Sequence, residues 1–208
     1  MAKSDTTTAT TLPLLVLVSG APGTGKTTLA SHLSQALSLP RLSKDTIREI
    51  MIDAFNIQSW EESKSIGVPA YRVYYGVIAQ LLAAGISTIA DCNFHRGVSE
   101  HDVGRLIAKA HGVLIHCRTT HTTSTQRFIE RSQQPDRRHA AMDAERLAQI
   151  EAGQFEVPWW AYDEPMQLDV PTLVVDTTAG YTPSIDAIVD FVRSASSDHM
   201  YANKAPGC

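Results

Sequence analysis

The clearest chemistry in this sequence lies in residues 20–27, which read G-A-P-G-T-G-K-T. They match the pattern G-x-x-x-x-G-K-[ST], whose glycines let backbone N–H groups curl around phosphate oxygens. Lys26 would reach the β- and γ-phosphates, and the hydroxyl of Thr27 would take a place on Mg²⁺. The nucleotide-binding residues predicted from this segment are Gly20, Gly23, Thr24, Gly25, Lys26, Thr27 and Thr28. The sequence therefore predicts a site for a nucleoside triphosphate, assigned as ATP, together with Mg²⁺.

The residues on either side of this loop support the interpretation. Residues 14–18 form an apolar run typical of a buried strand, and residues 29–37 place leucines on one face of a helix. A helix that begins at the loop points its positive end at bound phosphate. The alternative is an ordinary glycine-rich turn, which the order strand, loop and helix disfavours.

A second group of reactive residues follows in the segment S-K-D-T-I-R-E, residues 43–49. Asp45 is expected where a short strand gives way to a helix, with Arg48 on the same helical face. A carboxylate beside the γ-phosphate can orient an attacking hydroxyl and accept its proton, so Asp45 is a candidate catalytic residue. Arg48 could hold an anionic or polar substrate with its bidentate fork. The alternative for Asp45 is an N-cap of the helix, and both roles can hold at once.

A third group consists of basic residues in the second half of the chain. Arg127 and Arg131 are four residues apart on a predicted helix, and Arg137, Arg138 and His139 follow Pro135. Such a cluster suits a lid over ATP, with Arg131 stabilising charge on the transferred phosphoryl and Arg127 binding ATP. A solvated basic helix is the alternative.

The elements that must position these residues alternate between strands and helices. Short apolar strands are predicted near residues 14–18, 41–43, 86–90, 113–116 and 173–175. Helices are predicted near residues 28–37, 46–55, 68–84, 99–110, 123–131 and 142–153, with a last one after Pro183. The fold class is α/β, a three-layer P-loop NTPase fold with a five-stranded parallel sheet, helices on both faces and a helical lid. We expect one domain over residues 13–195, a lid over about 123–153, and tails at 1–12 and 196–208.

Composition narrows the class of protein. A chain of 208 residues with 43% hydrophobic content can bury one full core. The 18 basic and 22 acidic residues disfavour binding of long nucleic acid, without excluding it. Three scattered cysteines suit a reducing cytoplasm, and structural roles are favoured over a zinc site for Cys92 and His95. The apolar run at 14–18 is too short to span a bilayer, so no membrane association is expected.

These segments together resemble a P-loop kinase. The resemblance rests on G-A-P-G-T-G-K-T, K-D-T-I-R-E, I-A-D-C-N-F, R-F-I-E-R and R-R-H, and it covers about residues 14–195. It points to the small AAA-type ATP-binding kinases that include polynucleotide kinase, chloramphenicol phosphotransferase and zeta-type toxin kinases. The resemblance implies that Asp45 is the general base, that Arg48 clamps the substrate, and that Asp91 lies near Mg²⁺ or Arg48. It implies that one lid arginine, Arg127 or Arg131, lies over the base and the other on phosphate.

The expected function is therefore transfer of the γ-phosphoryl of Mg-ATP to a hydroxyl of a small molecule such as a nucleoside, a sugar or an antibiotic. Tyr71 and Arg72, in an aromatic segment with Trp60, Tyr74 and Tyr75, are further candidates for binding this acceptor. Residues 159–162 form a second aromatic segment, for which a core role is slightly favoured.

Three alternatives stay open. The first is a 5′-hydroxyl polynucleotide kinase. The second is an ATPase switch, although Asp91 is followed by Cys92 rather than by the glutamate that activates water in many ATPases. The third is a nucleotide-dependent binding module without turnover, against which the Asp45–Arg48 pair argues. A GTP-specific protein is disfavoured because the chain lacks an Asn-Lys-x-Asp motif.

Overall fold

The structure is a computed structural model that describes residues 12–134, 140–154 and 159–202. Its centre is a sheet of five parallel strands: β1 (Leu14–Ser19), β2 (Arg41–Ser43), β3 (Thr88–Asp91), β4 (His111–Arg118) and β5 (Thr172–Asp176). Their order across the sheet is β2-β3-β1-β4-β5. The strands are apolar along most of their length because helices cover both faces of the sheet. The predicted α/β fold with a five-stranded parallel sheet is confirmed.

Eight helices connect and cover the described strands. They are α1 (Lys26–Leu37), α2 (Lys44–Ala54), α3 (Trp60–Ser63), α4 (Gly67–Ala83), α5 (Glu100–Ile107), α6 (His121–Ser132), α7 (Ala140–Glu151) and α8 (Ile185–Ala202). Helices α1 and α8 pack on one face of the sheet, around Val16, Val18 and Ile115. Helices α4 and α5 pack on the other face, around Leu15, Leu17 and Leu114. Within the described residues, no helix has both the length and the apolar character to cross a bilayer.

The sheet brings the reactive segments to one edge. Strands β1, β2 and β3 end at neighbouring positions, with Val18 and Ser43 each in register with Asp91. In parallel α/β sheets, ligands bind outside these carboxyl ends. The phosphate-binding loop follows β1, Asp45 follows β2, and Asp91 ends β3, so all three reach the same cleft.

Local structure differs from the sequence expectations at three points. Helix α2 begins at Lys44 with Ser43 as its N-cap, so Asp45 lies inside the first turn and is not the cap. The helix expected near residues 99–110 runs over Glu100–Ile107, and the hydroxyl of its N-cap residue, Ser99, accepts a hydrogen bond from the backbone N–H of His95. Helix α8 continues past Ser196, where the apolar pattern ends. The basic residues Arg137, Arg138 and His139 and the expected tail at 1–11 lie outside the described residues.

Candidate active site

The phosphate-binding loop has a backbone shape that depends on glycine at two crowded positions. Gly20 has φ 142° and Gly23 has φ 83°. A Cβ at Gly20 would lie 2.3 Å from the carbonyl oxygen of Cys117, and one at Gly23 would lie 2.3 Å from that of Ser124. Strand β4 and helix α6 therefore press directly on the loop and fix its curvature.

The side chain of Thr24 points into the protein and contacts the loop itself. It is buried, and its hydroxyl donates to the carbonyl of Ala21 at 2.9 Å. The carbonyl of Thr24 accepts a hydrogen bond of 2.7 Å from the hydroxyl of Thr177. The backbone N–H of Thr24 also donates to the carbonyl of Ala21, at 3.3 Å, so both groups of Thr24 brace the loop.

Lys26 is the buried cation of the loop. Its side chain is 6% exposed, and its ammonium lies 3.5 Å from the carbonyl oxygen of Ala21. Burial lowers the pKa of Lys26, while the nearby carboxylates of Asp45 and Asp91 act in the opposite direction. A bound nucleotide phosphate would place further negative charge beside the ammonium of Lys26.

A cavity of ≈ 170 Å³ lies over the loop and fits the predicted nucleotide site. It is lined by Gly23, Gly25, Lys26, Thr27, Thr28, Arg127 and Arg131. Arg127 is held at its rim by hydrogen bonds to the carbonyls of Thr177 at 2.8 Å and Thr178 at 3.1 Å. The guanidinium of Arg131 packs 5.7 Å from the ring centre of Phe128 and faces both this cavity and the next.

The residues expected to hold Mg²⁺ are Thr27, in the first turn of α1, and Asp91, the last residue of β3. The hydroxyl of Thr27 favours the ionised form of the buried Asp91 carboxylate. Burial raises the pKa of Asp91, and the charges of Lys26 and Arg41 counteract part of that rise. Mg²⁺ in nucleotide sites is held by one or two protein oxygens together with phosphates and water, and this pair of oxygens fits that donor set.

Asp91 was expected near either Mg²⁺ or Arg48. It forms an ion pair of 3.0 Å with Arg41 on the neighbouring strand β2. Arg48 donates from Nη2 to the hydroxyl of Ser63 at 2.6 Å and so turns away from β3 toward α3. Of the two expected neighbours of Asp91, Mg²⁺ remains a prediction.

A second cavity of ≈ 200 Å³ adjoins the first and shares Lys26 and Arg131 with it. Its lining combines cations, aromatic rings and one carboxylate: Pro22, Lys26, Lys44, Asp45, Arg48, Trp60, Tyr71, Asn93, His95, Arg131, Arg146 and Tyr162. The two shared cations mark where the cavities meet. A group transferred between molecules in the two cavities would pass beside them.

Asp45 is the carboxylate of this second cavity. It forms an ion pair with the ammonium of the adjacent Lys44, and 55% of its side chain stays exposed. Its enclosure in the cleft raises its pKa, but the positive charges of Lys44 and Lys26 outweigh this and hold the pKa of Asp45 well below its usual range. The group is therefore ionised and able to accept a hydrogen bond from a hydroxyl.

A network of polar side chains forms the opposite wall. The hydroxyl of Tyr162 lies 2.6 Å from Nε2 of His95. Burial and the charge of Lys44 lower the pKa of His95, which favours the neutral ring, and Tyr162 donates to Nε2 in the tautomer that leaves this atom unprotonated. Tyr71 donates to the carbonyl of Asn93 at 3.3 Å. This wall offers neutral donors and acceptors of the kind that bind hydroxyl groups.

The family of the chain follows from comparison with known proteins. Residues 15–157 match the AAA domain family AAA_33. The chain belongs to this family. A protein from Chloroflexus aurantiacus J-10-fl, described as a candidate kinase, is 31% identical with a TM-score of 0.74, and the match covers 88% of this chain and 98% of that one.

Two more distant structures share the fold. A sugar kinase from Janibacter sp. HTCC2649 is 18% identical with a TM-score of 0.54, over 90% of this chain and 97% of that one. The APS kinase of Mycobacterium tuberculosis, solved with AMPPNP and APS, is 16% identical with a TM-score of 0.54, over 89% of this chain and 98% of that one. No curated protein matches the chain. The fold is thus that of the P-loop kinases.

Of the residues that the sequence suggested for binding the acceptor, only some line the second cavity. Tyr71 lines the second cavity, whereas Arg72 is exposed and lies outside the lining of either cavity. Tyr74 is buried in the core. Trp160, expected in the core, is 69% exposed. Trp159 stacks on His121 with ring centres 4.5 Å apart, in another cavity beside β4.

Several residues of the second cavity were not predicted as site residues, among them Pro22, Lys44, Asn93, His95 and Arg146, and Tyr162 was named only within an aromatic segment. Lys44 adjoins Asp45, and this adjacency was the one signal that could have indicated it. For His95 a structural role was favoured over a zinc site, and a role in binding substrate was not considered. Arg146 and Tyr162 come from segments far along the chain, which only the fold brings to the cleft.

Proposed function

We propose that this protein transfers the γ-phosphoryl group of Mg-ATP to a hydroxyl of a small molecule. The main observation in support is that Asp45 lines a cavity next to the nucleotide cavity, and that Lys26 and Arg131 line both. A hydroxyl compound in this cavity would meet a carboxylate on one side and the γ-phosphate on the other. Membership of the family and the 31% identity to a candidate kinase support this function.

The proposed reaction is a direct transfer. The acceptor oxygen forms a bond to the γ-phosphorus while the bond from that phosphorus to the β,γ-bridging oxygen breaks. The hydroxyl proton passes to Asp45, and ADP leaves with the bridging oxygen. Asp45 thus orients the nucleophile and accepts its proton.

Two cations stabilise the transferred group in this mechanism. Lys26, fixed in the loop, holds the β- and γ-phosphates of the ground state. Arg131, shared by both cavities, lies where charge shifts during transfer. Mg²⁺ held by Thr27 and Asp91 would neutralise phosphate charge, and Arg127 would bind the nucleoside end of ATP.

The electrostatics of Asp45 suit a base that is activated by ATP. Lys26 is one of the charges that lower its pKa. When phosphates engage Lys26 they bring negative charge close to Asp45, which raises its pKa and its affinity for a proton. The base therefore becomes stronger when the phosphoryl donor is in place.

The test is a phosphoryl-transfer screen with γ-labelled ATP and Mg²⁺ against nucleosides, sugars, sugar acids, antibiotics and 5′-hydroxyl oligonucleotides. We expect one class of small molecule to accept label and to accelerate ADP release. Lys26→Ala should abolish the transfer while leaving the melting temperature near that of the wild type. Fast ADP release without any acceptor would indicate an ATPase, and labelling of the oligonucleotide alone would indicate a polynucleotide kinase.

A further inference from the structure

The second cavity contains an arrangement of two arginines around one tryptophan. The guanidinium carbon of Arg48 lies 5.2 Å from the ring centre of Trp60, and that of Arg146 lies 5.1 Å from it. Both side chains also line the cavity. Stacking on an aromatic ring is a favourable way to hold a guanidinium group that is partly removed from water.

Each arginine has further contacts that fix its position. Arg48 donates to the hydroxyl of Ser63, which in turn donates to the carbonyl of Trp60 at 2.6 Å. Arg146 packs 5.2 Å from the ring centre of Phe128 on α6. Helix α7 is tied to α3 by Glu145, whose carboxylate accepts a hydrogen bond of 2.7 Å from the backbone N–H of Trp60. The two guanidinium groups are thus presented to the cavity by a braced framework.

The charge balance of the cavity is strongly positive. Five cations line it, namely Lys26, Lys44, Arg48, Arg131 and Arg146, against the single lining carboxylate of Asp45. Asp143 lies close to Arg48 and Arg146, and Glu49 is a further acidic neighbour of Arg48. When ATP engages Lys26 and Arg131, three lining cations, Arg48, Arg146 and Lys44, remain beside the one lining carboxylate. These three cations lie away from the phosphate-binding loop.

Holding these cations together has an energetic cost. The positive charge of Arg48 disfavours that of Arg146, and both are partly removed from water. Planar guanidinium groups present N–H donors in a fork that matches the oxygens of a carboxylate or a phosphate. An anion bound here would offset both the repulsion and the lost hydration.

We propose that the acceptor is a compact hydroxyl compound with a carboxylate or phosphate group, and that this anionic group binds between Arg48 and Arg146 beside Lys44. The inference rests on the proposed kinase function and names the substrate class of the same site. The wall formed by Asn93, His95 and Tyr162 then binds the neutral hydroxyls of the acceptor, and one hydroxyl is directed at Asp45. The anionic group fixes the orientation of the acceptor in the cavity. A neutral polyol has no such group and would be held less firmly in one orientation.

The first test uses matched pairs of acceptors in the labelled-ATP assay. Sugar acids are compared with the alditols of the same carbon skeleton, and sugar phosphates with the parent sugars. We expect kcat/KM at least tenfold higher for the charged member of the productive pair. Equal rates for charged and neutral members would overturn the proposal. Comparison of the sugar-acid pairs with the sugar-phosphate pairs shows whether the site prefers a carboxylate or a phosphate.

The second test removes each guanidinium in turn. Arg48→Gln and Arg146→Gln should each raise KM for the charged acceptor at least tenfold, and should lower kcat/KM for the charged acceptor more than for its neutral analogue. Arg146→Lys keeps the charge but not the fork, so it should recover only part of the loss. Arg105→Gln, at an exposed position on α5, is the matched control and should behave as the wild type. An unchanged preference for the charged acceptor in both Gln variants would overturn the proposal.

A third measurement is independent of turnover. Inorganic phosphate is titrated by calorimetry into protein already saturated with Mg²⁺ and a non-hydrolysable ATP analogue, so that the loop is filled. Binding that is lost in Arg48→Gln and Arg146→Gln but kept in Arg105→Gln would support the anion site. Absence of such binding in the wild type, together with absence of a charge preference, would overturn it. If no compound is phosphorylated, the proposed kinase function fails, and this titration still decides whether the anion site exists.

Discussion

The carbonyl oxygen of Ser124 lies against Gly23 so closely that a Cβ at Gly23 would be 2.3 Å from it. The hydroxyl of Ser124 also donates to the carbonyl of Pro22. Helix α6 therefore packs against the phosphate-binding loop at Ser124. The same helix carries Arg127 and Arg131. The contact fixes the distance between the loop and the two arginines that face the nucleotide cavity.

This contact predicts a large effect of Gly23→Ala. The added methyl group meets backbone rather than a flexible side chain, so the loop or α6 must move and ATP binding should fall at least tenfold. Gly97→Ala is the matched control, because Gly97 has a similar φ of 81° with no atom near its Cβ position. The control should cost only the strain of the backbone conformation, about 1 kcal/mol. Titration with a fluorescent ATP analogue and urea unfolding measure the two effects, and equal ATP affinity in both variants would refute the role of the contact.

The two arginines of α6 should affect different kinetic constants. Arg131→Ala should lower kcat on the order of a hundredfold with little change in KM for ATP, because its cation is needed most in the transition state. Arg127→Ala should raise KM for ATP about tenfold, because this side chain is anchored to the carbonyls of Thr177 and Thr178 at the nucleotide rim. Steady-state kinetics with the identified acceptor separate the two. Normal kinetic constants in both variants, with loss of stability alone, would assign these arginines to a solvated basic helix.

Asp45→Asn tests the proposed base. The amide is nearly isosteric with the carboxylate but cannot accept a proton at this step, so the transfer rate should fall on the order of a hundredfold or more. Because Asp45 is inside the first turn and Ser43 is the N-cap, Asp45→Ala should show no additional loss of a capping bond. ATP affinity, measured separately, should stay within a few-fold of the wild type. A wild-type transfer rate in Asp45→Asn would move the search for the base to Asp91.

The hydrogen bond from Tyr162 to His95 predicts a pH dependence of stability. Burial, followed by the charge of Lys44, lowers the pKa of His95 below 6.5. Between that lowered value and 6.5 the unfolded chain binds more protons than the folded one, so the free energy of unfolding falls as pH falls below about 6.5. The contribution is fully present above that pH. Urea unfolding at a series of pH values should show a shallower dependence for His95→Gln than for the wild type.

The control for this pH series is His101→Gln, which alters an exposed histidine on α5. It should retain the wild-type dependence. Burial also lowers the pKa of His116, so part of the dependence should persist in His95→Gln. A slope identical to the wild type in His95→Gln would show that the pKa of His95 is not lowered in the folded protein.

The sequence by itself determined the sheet and the phosphate-binding loop. Short runs of three to five residues, most of them apolar, predict buried parallel strands, and each of the five predicted runs overlaps a strand of the structure. The motif located the phosphate-binding loop, because its glycines and Lys26 lie within eight consecutive residues. The positions of Asp45 and Asp91 at strand ends followed from the same local patterns.

The tertiary structure decided the partners of these residues and the composition of the second cavity. The pairing of Asp91 with Arg41 rather than Arg48 depends on the register of β2 against β3, which no local pattern specifies. The stacking of Arg48 and Arg146 on Trp60 joins α2, α3 and α7, segments separated by up to 98 positions in the sequence. Such contacts arise from the packing of helices over the sheet edge. A sequence pattern records which residues share a helix face, but not which residue of a distant helix will meet them.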